Sequence, residues 1–501
     1  MGEKFIDALR QEDNWKQTEN YQDALKSTLN DLVDLFGTIG ALRNRGESDI
    51  IHMFSKAFAQ DKLLAMKMLF YARNIRGLGL GERRTFRIIT KWLATVYPDT
   101  LRKNLQLISF FGRWDDLYEF VGTPLEKDAF TIIKEQFDKD IQDCDDDKPI
   151  SLLAKWLKSI NTSNEESNKL GKLTAKYLGL TEMQYRKTLS KLRKHLKVVE
   201  KDMCSNEWEN IDYPTVPSRA MLIYQHAFLR HDLERFTDYM EKLKTDETSI
   251  RTATLYPYDL VAKIIDFDNS YDYFSAEYNE IIEAQWKALP NYIEGENNIL
   301  VMADTSGSMF WAYGQNVKPI NISIGLAIYF AERNKGVFQN KFITFSRKPS
   351  FVELKGNTLS EKIRCIPRIV ENTNIEAAFN LVLKTAIKNN LKNEDLPKSI
   401  VIISDMEFDE CQTDNSEKRW TFYDAMKNKY KMQGFQIPNI VFWNVEVRNN
   451  TFHTYSDYEG VQIASGASAS VFKALLNNEN LTPERFMLEV LNDPIFDCII
   501  I

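Results

Sequence analysis

After Pro290 the sequence alternates between short apolar runs and longer amphipathic stretches, and this alternation restricts the C-terminal part to an α/β architecture. Runs that are apolar at nearly every position predict strands buried on both faces. The pattern therefore predicts a doubly wound, mostly parallel sheet with helices on both faces. The predicted strands are 299–304, 338–345, 400–405, 439–445 and 461–464, and the predicted helices lie near 321–334, 374–391, 420–433, 468–476 and 482–491.

Before Pro290 the chain shows helical periodicity, short polar turns and few strand-like runs. The clearest case is 181–201, where Thr181 and Gln184 predict a capping box ahead of one buried apolar face. This density of helices predicts an all-α, HEAT-like helical-repeat module, although no exact repeat period is visible. The other predicted helices are 21–36, 49–72, 83–96, 127–141, 217–243 and 276–289.

The length and composition are those of a folded multidomain protein. A chain of 501 residues is too long for one ordinary core, and the change of pattern predicts domains at 1–290 and 295–501. We expect no membrane span and a cytoplasmic location, because no apolar run approaches about 18 residues and the start lacks a signal-peptide core. The five cysteines are widely separated and lack zinc spacing, which predicts reduced thiols.

Side chains bearing oxygen follow two of the predicted strands and precede one predicted helix. Asp304, Ser306 and Ser308 leave the first strand, Thr373 stands just before a helix, and Asp405 ends another buried run. Open α/β sheets place their ligand crevice at the carboxyl ends of the strands. Carboxylate and hydroxyl oxygens are hard ligands that suit a small divalent cation. These five residues therefore predict a site for Mg²⁺ or another divalent cation.

A simpler interpretation is that Ser306, Ser308 and Thr373 cap helices and that Asp405 closes a turn. One D-x-S-x-S match arises easily by chance in a turn rich in serine. Three separate matches in the same order are harder to explain by capping alone, and they favour the cation site.

The order and spacing of these residues resemble the metal-ion-dependent adhesion site of von Willebrand factor A domains. The resemblance implies that the aspartates and Thr373 bind the cation directly or through water, and that one position stays open for a partner's carboxylate. Two residues depart from the family pattern, because Asn372 and Met406 stand where glycine is usual. Since Met rarely adopts a left-handed backbone, we expect the third loop to have a different shape. The acids that follow it, Glu407, Asp409 and Glu410, are expected to be solvated.

Two basic clusters in the helical part suit phosphate contacts. One surrounds the glycine-rich turn 77–81 and the other occupies the polar face of the helix 181–201. The alternative is that these charges are ordinary exposed side chains paired with acids, and the net charge of −7 excludes only a uniformly basic surface. The predicted RNA contacts are Arg73, Arg76, Arg83, Arg84, Arg87, Arg186, Lys187, Lys191 and Lys194.

Several motifs extend a resemblance over most of the chain. They are R-G-L-G-L-G-E-R at 76–83, G-R-W-D-D-L at 112–117, L-L-A-K-W-L at 152–157, L-Y-P-Y-D at 255–259 and S-D-M-E-F-D at 404–409. They resemble an uncharacterised family of plants, bacteria, phages and giant viruses. In layout that family is similar to the Ro ribonucleoproteins, whose TROVE-like helical module binds RNA and carries a von Willebrand factor A domain. The resemblance implies structured RNA as a partner.

Two functions follow as expectations. The first is a non-catalytic, RNA-binding scaffold with a Mg²⁺-dependent site for a protein ligand that offers a carboxylate. The alternative is a metal-dependent adaptor between proteins without nucleic-acid binding. An enzyme is not expected, because no nucleophile motif accompanies the five histidines and no small-molecule substrate is indicated.

Overall fold

A computed structural model of the protein describes residues 2–266, 275–293, 295–311, 317–345, 348–367, 373–411, 419–476 and 481–501. The chain forms two compact units that do not follow its linear order. The first unit contains Met1–Ala72, Gly77–Glu82 and Leu255–Asp497. The second contains Arg73–Arg76, Arg83–Thr254 and Cys498–Ile501.

The N-terminal part of the first unit contains helices and one small hairpin. The hairpin pairs β1 with β2 in antiparallel register, Trp15 opposite Leu25. This differs from the predicted helix 21–36, because the helix begins only after Asn30, whose side-chain oxygen accepts hydrogen bonds from the N–H groups of Leu32 and Val33. The elements are α1 Gly2–Asp13, β1 Trp15–Gln17, β2 Asp23–Leu25, α2 Asp31–Phe36, α3 Glu47–Gln60 and α4 Lys62–Arg73.

The second unit is helical. Its helix α11 begins with the predicted capping box, in which Gln184 N donates to Thr181 Oγ1 at 3.2 Å and Thr181 N donates to Gln184 Oε1 at 2.9 Å. The helix ends earlier than predicted, at His195, and Lys197 has a left-handed φ of 49°. The elements are α5 Arg84–Val96, α6 Pro98–Arg102, α7 Leu107–Phe111, α8 Glu126–Asp145, α9 Leu153–Trp156, α10 Glu165–Tyr177, α11 Glu182–His195, α12 Val199–Ser205, α13 Ser218–His231 and α14 Leu233–Lys244.

Two long predicted helices are each divided in the structure. The predicted 49–72 becomes α3 and α4, because Asp61 is extended with φ −149° and its carboxylate accepts a hydrogen bond from Leu64 N at 2.8 Å. The predicted 217–243 becomes α13 and α14, with φ −144° at Asp232. At Asp61 the interruption follows from the short side chain, which bonds a nearby backbone group. At Asp232 the carboxylate instead accepts from the side chains of Tyr213 and Arg235.

The remainder of the first unit contains the predicted sheet. Its elements are α15 Pro257–Ile264, β3 Ile265–Asp266, β4 Ser275–Ala276, α16 Glu280–Lys287, β5 Ile299–Asp304, α17 Pro319–Arg333, β6 Lys341–Phe345, β7 Ser350–Glu353, α18 Leu359–Ile363, α19 Ile375–Lys388, β8 Ser399–Ser404, α20 Phe422–Met432, β9 Asn439–Asn444, β10 Val461–Ser465, α21 Val471–Leu476 and α22 Pro483–Leu491.

The sheet has six strands in the order β10-β9-β8-β5-β6-β7. All neighbours are parallel except β7, which runs antiparallel to β6 at the edge and was not predicted. The inner strands are buried along nearly their whole length, as their apolar runs predict. The prediction of a chain with α and α/β parts and a mostly parallel C-terminal sheet is confirmed.

The order of the strands reverses next to β5. From β5 the chain moves to β6 on one side, and later to β8, β9 and β10 on the other side. Such a switch point opens a crevice at the carboxyl ends of the strands, and ligands bind there in open α/β sheets. Within the described residues, no helix combines the length and the apolar character needed to cross a bilayer.

Candidate cation site at the carboxyl end of the sheet

The predicted residues Asp304 and Asp405 lie at the ends of neighbouring strands at this switch point: Asp304 is the last residue of β5, and Asp405 follows β8. β5 and β8 pair in parallel with Ala303 opposite Ile403, so that Asp304 and Ser404 stand side by side at the strand ends. Asp405 is the next residue of the chain, and both carboxylates are buried. The sheet therefore places two acids from distant parts of the sequence at one edge.

Asp304 is fully buried and both of its oxygens accept hydrogen bonds. Oδ1 accepts from Ser306 N at 2.8 Å, and Oδ2 accepts from Ser404 Oγ at 2.5 Å. The hydroxyls of Ser306 and Ser308 lie 3.2 Å apart. The first motif thus brings one carboxylate and two hydroxyls close together. Ser404, which was not among the predicted site residues, also bonds this carboxylate.

The electrostatics of Asp304 indicate a nearby second negative charge. Burial first, and then the charge of Asp405, raise the pKa of Asp304 to about 7, against hydrogen bonds that lower it. Two carboxylates in a buried region repel each other unless a proton or a cation stands near them. A divalent cation would supply that compensation.

Asp405 is held by its own loop and by an arginine. Oδ1 accepts a hydrogen bond from Glu407 N at 3.2 Å, and Oδ2 accepts one from Arg448 Nη2 at 2.8 Å. Arg448 Nη1 in turn donates to Glu19 Oε2 at 2.6 Å. Arg448 and Glu19 carry no motif, and only the folded chain brings them to Asp405.

Thr373 is buried beside the loop that follows β8. Its N–H donates to Asp409 Oδ1 at 3.1 Å, and its carbonyl accepts from Asp409 N at 3.0 Å. Asn372, one of the two departures from the family pattern, lies outside the described residues. The cap of α19 is Asn374, whose side-chain oxygen accepts from Ala377 N at 2.9 Å, so Thr373 is not needed as a cap. Ser306 likewise makes no side-chain capping bond to the short turn Gly307–Phe310.

The third loop corrects two expectations. Met406 has a φ of 66°, so it adopts the left-handed conformation that was expected to be difficult for it. Its side chain is buried in the core cluster with Phe408 and Phe442, and this packing offsets the backbone strain. Glu407 is buried as well, where Oε1 accepts from Thr451 Oγ1 and Oε2 accepts from Glu19 N, both at 2.8 Å. Of the acids expected to be solvated, Glu410 is exposed and Asp409 is half-buried.

The basic cluster near residues 73–87 is also corrected in part. Arg73 is only 2 % exposed and its Nη2 lies 2.7 Å from Asp116 Oδ2. Arg87 bonds Asp116 Oδ1 at 2.7 Å and Asp115 Oδ2 at 2.9 Å. These two arginines are bound in a largely buried ion network, because buried aspartates require partners. Arg73 therefore lies below the surface, whereas Arg87 is half-buried and paired with acids.

The other predicted RNA contacts lie at the surface of the fold. Arg84 is half-buried, whereas Arg76, Arg83, Arg186, Lys187, Lys191 and Lys194 are exposed. Lys191 is paired with Asp145. Among the residues that the structure describes, no ion pair joins Lys187 or Lys194 to another side chain. Arg193, on the same helix, turns inward and donates to the carbonyls of Ala154 and Leu157 at 2.9 and 2.7 Å.

Two family models match successive parts of the chain. A model described as "Domain of unknown function (DUF2828)" matches residues 18–150 and 150–298, which is more than half of the chain. The chain belongs to the DUF2828 family. A second model, "Domain of unknown function (DUF7788)", matches residues 298–493, so the two meet where β5 begins. This DUF2828 chain is also similar to an uncharacterized protein of Acanthamoeba polyphaga mimivirus, with 29% identity over 531 residues that cover 96% of this chain and 89% of that protein.

The predicted membership in an uncharacterised family is thereby confirmed. The family models and the compact units divide this DUF2828 protein differently, because residues 18–72 lie within the first model but pack in the unit that contains the sheet. Glu19, in that segment, contacts Glu407 and Arg448 beside the candidate site. Contact-making residues at the site therefore come from both matched regions.

Proposed function

We propose that this DUF2828-family protein is a non-catalytic adaptor that binds a divalent cation at the carboxyl end of its sheet and uses it to hold a carboxylate of a protein partner. The observation that carries the proposal is the burial of Asp304 and Asp405 on adjacent strand ends at a topological switch point. Buried acids so placed are uncommon unless a cation, a proton or a salt bridge compensates them.

The residues present fit Mg²⁺. The candidate donors are the carboxylates of Asp304 and Asp405 and the hydroxyls of Ser306, Ser308 and Thr373, all of them hard oxygens. Among the described residues, no group of three or more His, Cys, Asp and Glu side chains could hold a metal. This favours a mixed carboxylate and hydroxyl site over a zinc-type site. When bound, the cation would supply a positive centre for an incoming carboxylate, and the resemblance to von Willebrand factor A domains supports this role.

Two exposed aromatic side chains stand on loops at the same edge. Trp311 is 67 % exposed and follows Ser308 by three residues. Tyr21 is 70 % exposed and its backbone bridges to Asp409. Trp and Tyr are enriched among the residues that dominate binding energy in protein interfaces. They suit a partner that places an apolar or aromatic group beside its carboxylate.

The test is capture of proteins from cells with the purified chain, in Mg²⁺ and in excess EDTA. We expect partners that are retained in Mg²⁺ and lost both in EDTA and with Asp304→Ala. Asp457→Ala removes an exposed carboxylate of the same unit and serves as the matched control, which should retain them. Retention of every partner by Asp304→Ala would refute the adaptor proposal.

A second candidate is the RNA-binding scaffold implied by the Ro resemblance. The observation that favours it is the exposed pair Lys187 and Lys194 on α11, which has no salt-bridge partner within the described part of the chain. RNA copurifying with the protein, its retention falling with salt and with Lys187→Glu plus Lys194→Glu, would support this function. Lys169→Glu reverses an exposed charge on α10 and is the control. Either function goes with the expectation of a cytoplasmic protein.

A further inference from the structure

Arg448 bridges two carboxylates at the candidate site. It lies in the loop after β9, and its Nη2 donates to Asp405 Oδ2 at 2.8 Å while its Nη1 donates to Glu19 Oε2 at 2.6 Å. Its side chain is 16 % exposed. The other oxygen of Glu19, Oε1, accepts a hydrogen bond from Asn449 Nδ2 at 3.0 Å, which holds the carboxylate in this orientation. The guanidinium is charged at every pH that the protein tolerates.

The guanidinium of Arg448 therefore compensates the negative charge of Asp405 without a metal ion. A buried carboxylate without a partner would destabilise the fold, so the salt bridge keeps the third loop in place without metal. A divalent cation at the proposed site must share Asp405 with this guanidinium, and two positive charges around one carboxylate repel each other. The salt bridge and the metal are thus alternatives for the same negative charge.

We propose that Arg448 is a positioning residue that competes with the divalent cation for Asp405, and that Glu19 moderates this competition by holding the guanidinium from its other side. The inference rests on the proposed cation site. It makes the affinity for the cation a property of two residues outside the metal-binding motif.

The hairpin that carries Glu19 is bonded firmly to the third loop. Thr18 Oγ1 donates to the Phe408 carbonyl at 2.7 Å, and Asn20 Nδ2 donates to the Glu407 carbonyl at 2.7 Å. Glu19 N itself donates to Glu407 Oε2 at 2.8 Å. These bonds fix the backbone of Glu19. Its carboxylate is therefore held beside the guanidinium of Arg448.

The experiment measures the affinity of the full chain for Mn²⁺ alone, by calorimetry and by electron paramagnetic resonance. Arg448→Gln should tighten Mn²⁺ binding by about tenfold, which corresponds to ~1.4 kcal/mol. Glu19→Gln should weaken Mn²⁺ binding about threefold. The substitution removes a negative charge, and the guanidinium of Arg448 then pairs with Asp405 only. A purely structural role predicts that both substitutions weaken binding, so the opposite signs are decisive.

Arg45→Gln is the matched control, since it removes a positive charge that pairs with Asp49 and contacts Arg448 at its backbone carbonyl, so the guanidinium of Arg448 stays in place. It should change the affinity less than twofold. If Arg448→Gln folds but binds Mn²⁺ no more tightly than the parent chain, the inference is overturned. If Arg448→Gln does not fold, Glu19→Gln decides: tighter Mn²⁺ binding by that variant overturns the inference. If the parent chain and Asp304→Ala bind Mn²⁺ equally, the cation site itself is absent. If Asp304→Ala abolishes binding while Arg448→Gln has no effect, only the role of Arg448 fails.

Discussion

Ser404 and Asp304 are joined across the β5–β8 pair by a hydrogen bond of 2.5 Å from Ser404 Oγ to Asp304 Oδ2. Ser404 Oγ also accepts from Met406 N at 3.1 Å, so one hydroxyl ties the first loop of the site to the third. Both groups are fully buried. The bond explains how two loops that are far apart in sequence are held in a fixed position relative to each other.

Ser404→Ala should lower the free energy of unfolding by about 1–3 kcal/mol, because it leaves a buried carboxylate oxygen without its donor. Urea denaturation at pH 7.5 without divalent cations measures this loss. Ser190→Ala, at an exposed position of α11, should stay within about 0.5 kcal/mol of the parent chain. Equal stability of Ser404→Ala and the parent would show that the bond adds nothing.

Met406→Gly should be more stable than Met406→Ala by about 1 kcal/mol. Both variants lose the buried methionine side chain, but only glycine adopts a φ of 66° without strain. This order is the reverse of the one found at ordinary backbone positions, where alanine is the more stable. Thermal denaturation of the two variants side by side tests the prediction, which fails if alanine is equal or better.

Asp116→Asn should destabilise the second unit by about 3–5 kcal/mol, since it leaves the buried guanidinium of Arg73 and one arm of Arg87 without a carboxylate. Asp128→Asn breaks an exposed pair with Arg102 and should cost at most about 1 kcal/mol. Denaturant unfolding of both variants gives the comparison. Similar small losses would mean that the network contributes no more than a surface pair.

Asp34 should make the protein less stable as the pH rises from about 4 to about 6. Burial raises the pKa of Asp34 from 3.8 to about 6, against hydrogen bonds from Ser27 and Thr28 that lower it. The folded chain therefore holds a proton that the unfolded chain has already released, and stability is highest below the unfolded pKa. The loss is on the order of 3 kcal/mol and is complete above the folded pKa.

Unfolding free energies at pH 4.5 and 7 for the parent chain and Asp34→Asn isolate this effect from that of other acids. The stability of Asp34→Asn relative to the parent should increase between the two pH values. An unchanged difference would place the pKa of Asp34 in its ordinary range.

The local elements were predictable where one physical cause acts alone. The runs 299–304 and 400–405 became β5 and β8 within one residue, because a strand buried on both faces needs apolar residues throughout. The capping box at Thr181 was predictable for a similar reason, since its bonds span only three residues. Interruptions at Asp61 and Asp232 were missed because a single polar residue within a periodic pattern leaves the periodicity intact.

The sequence by itself determined the apolar strands, the change from helices to an α/β pattern near residue 290, and the positions of oxygen-bearing residues at strand ends. Only the tertiary structure decided which charges are compensated. It buried Arg73 against Asp116, it paired the half-buried Arg87 with Asp115 and Asp116, and it brought Glu19 to Arg448. The physical reason is that a strand or helix forms through residues that are close in sequence. The partner of a charged side chain is instead the group nearest to it in space, and the order of residues along the chain does not reveal that group.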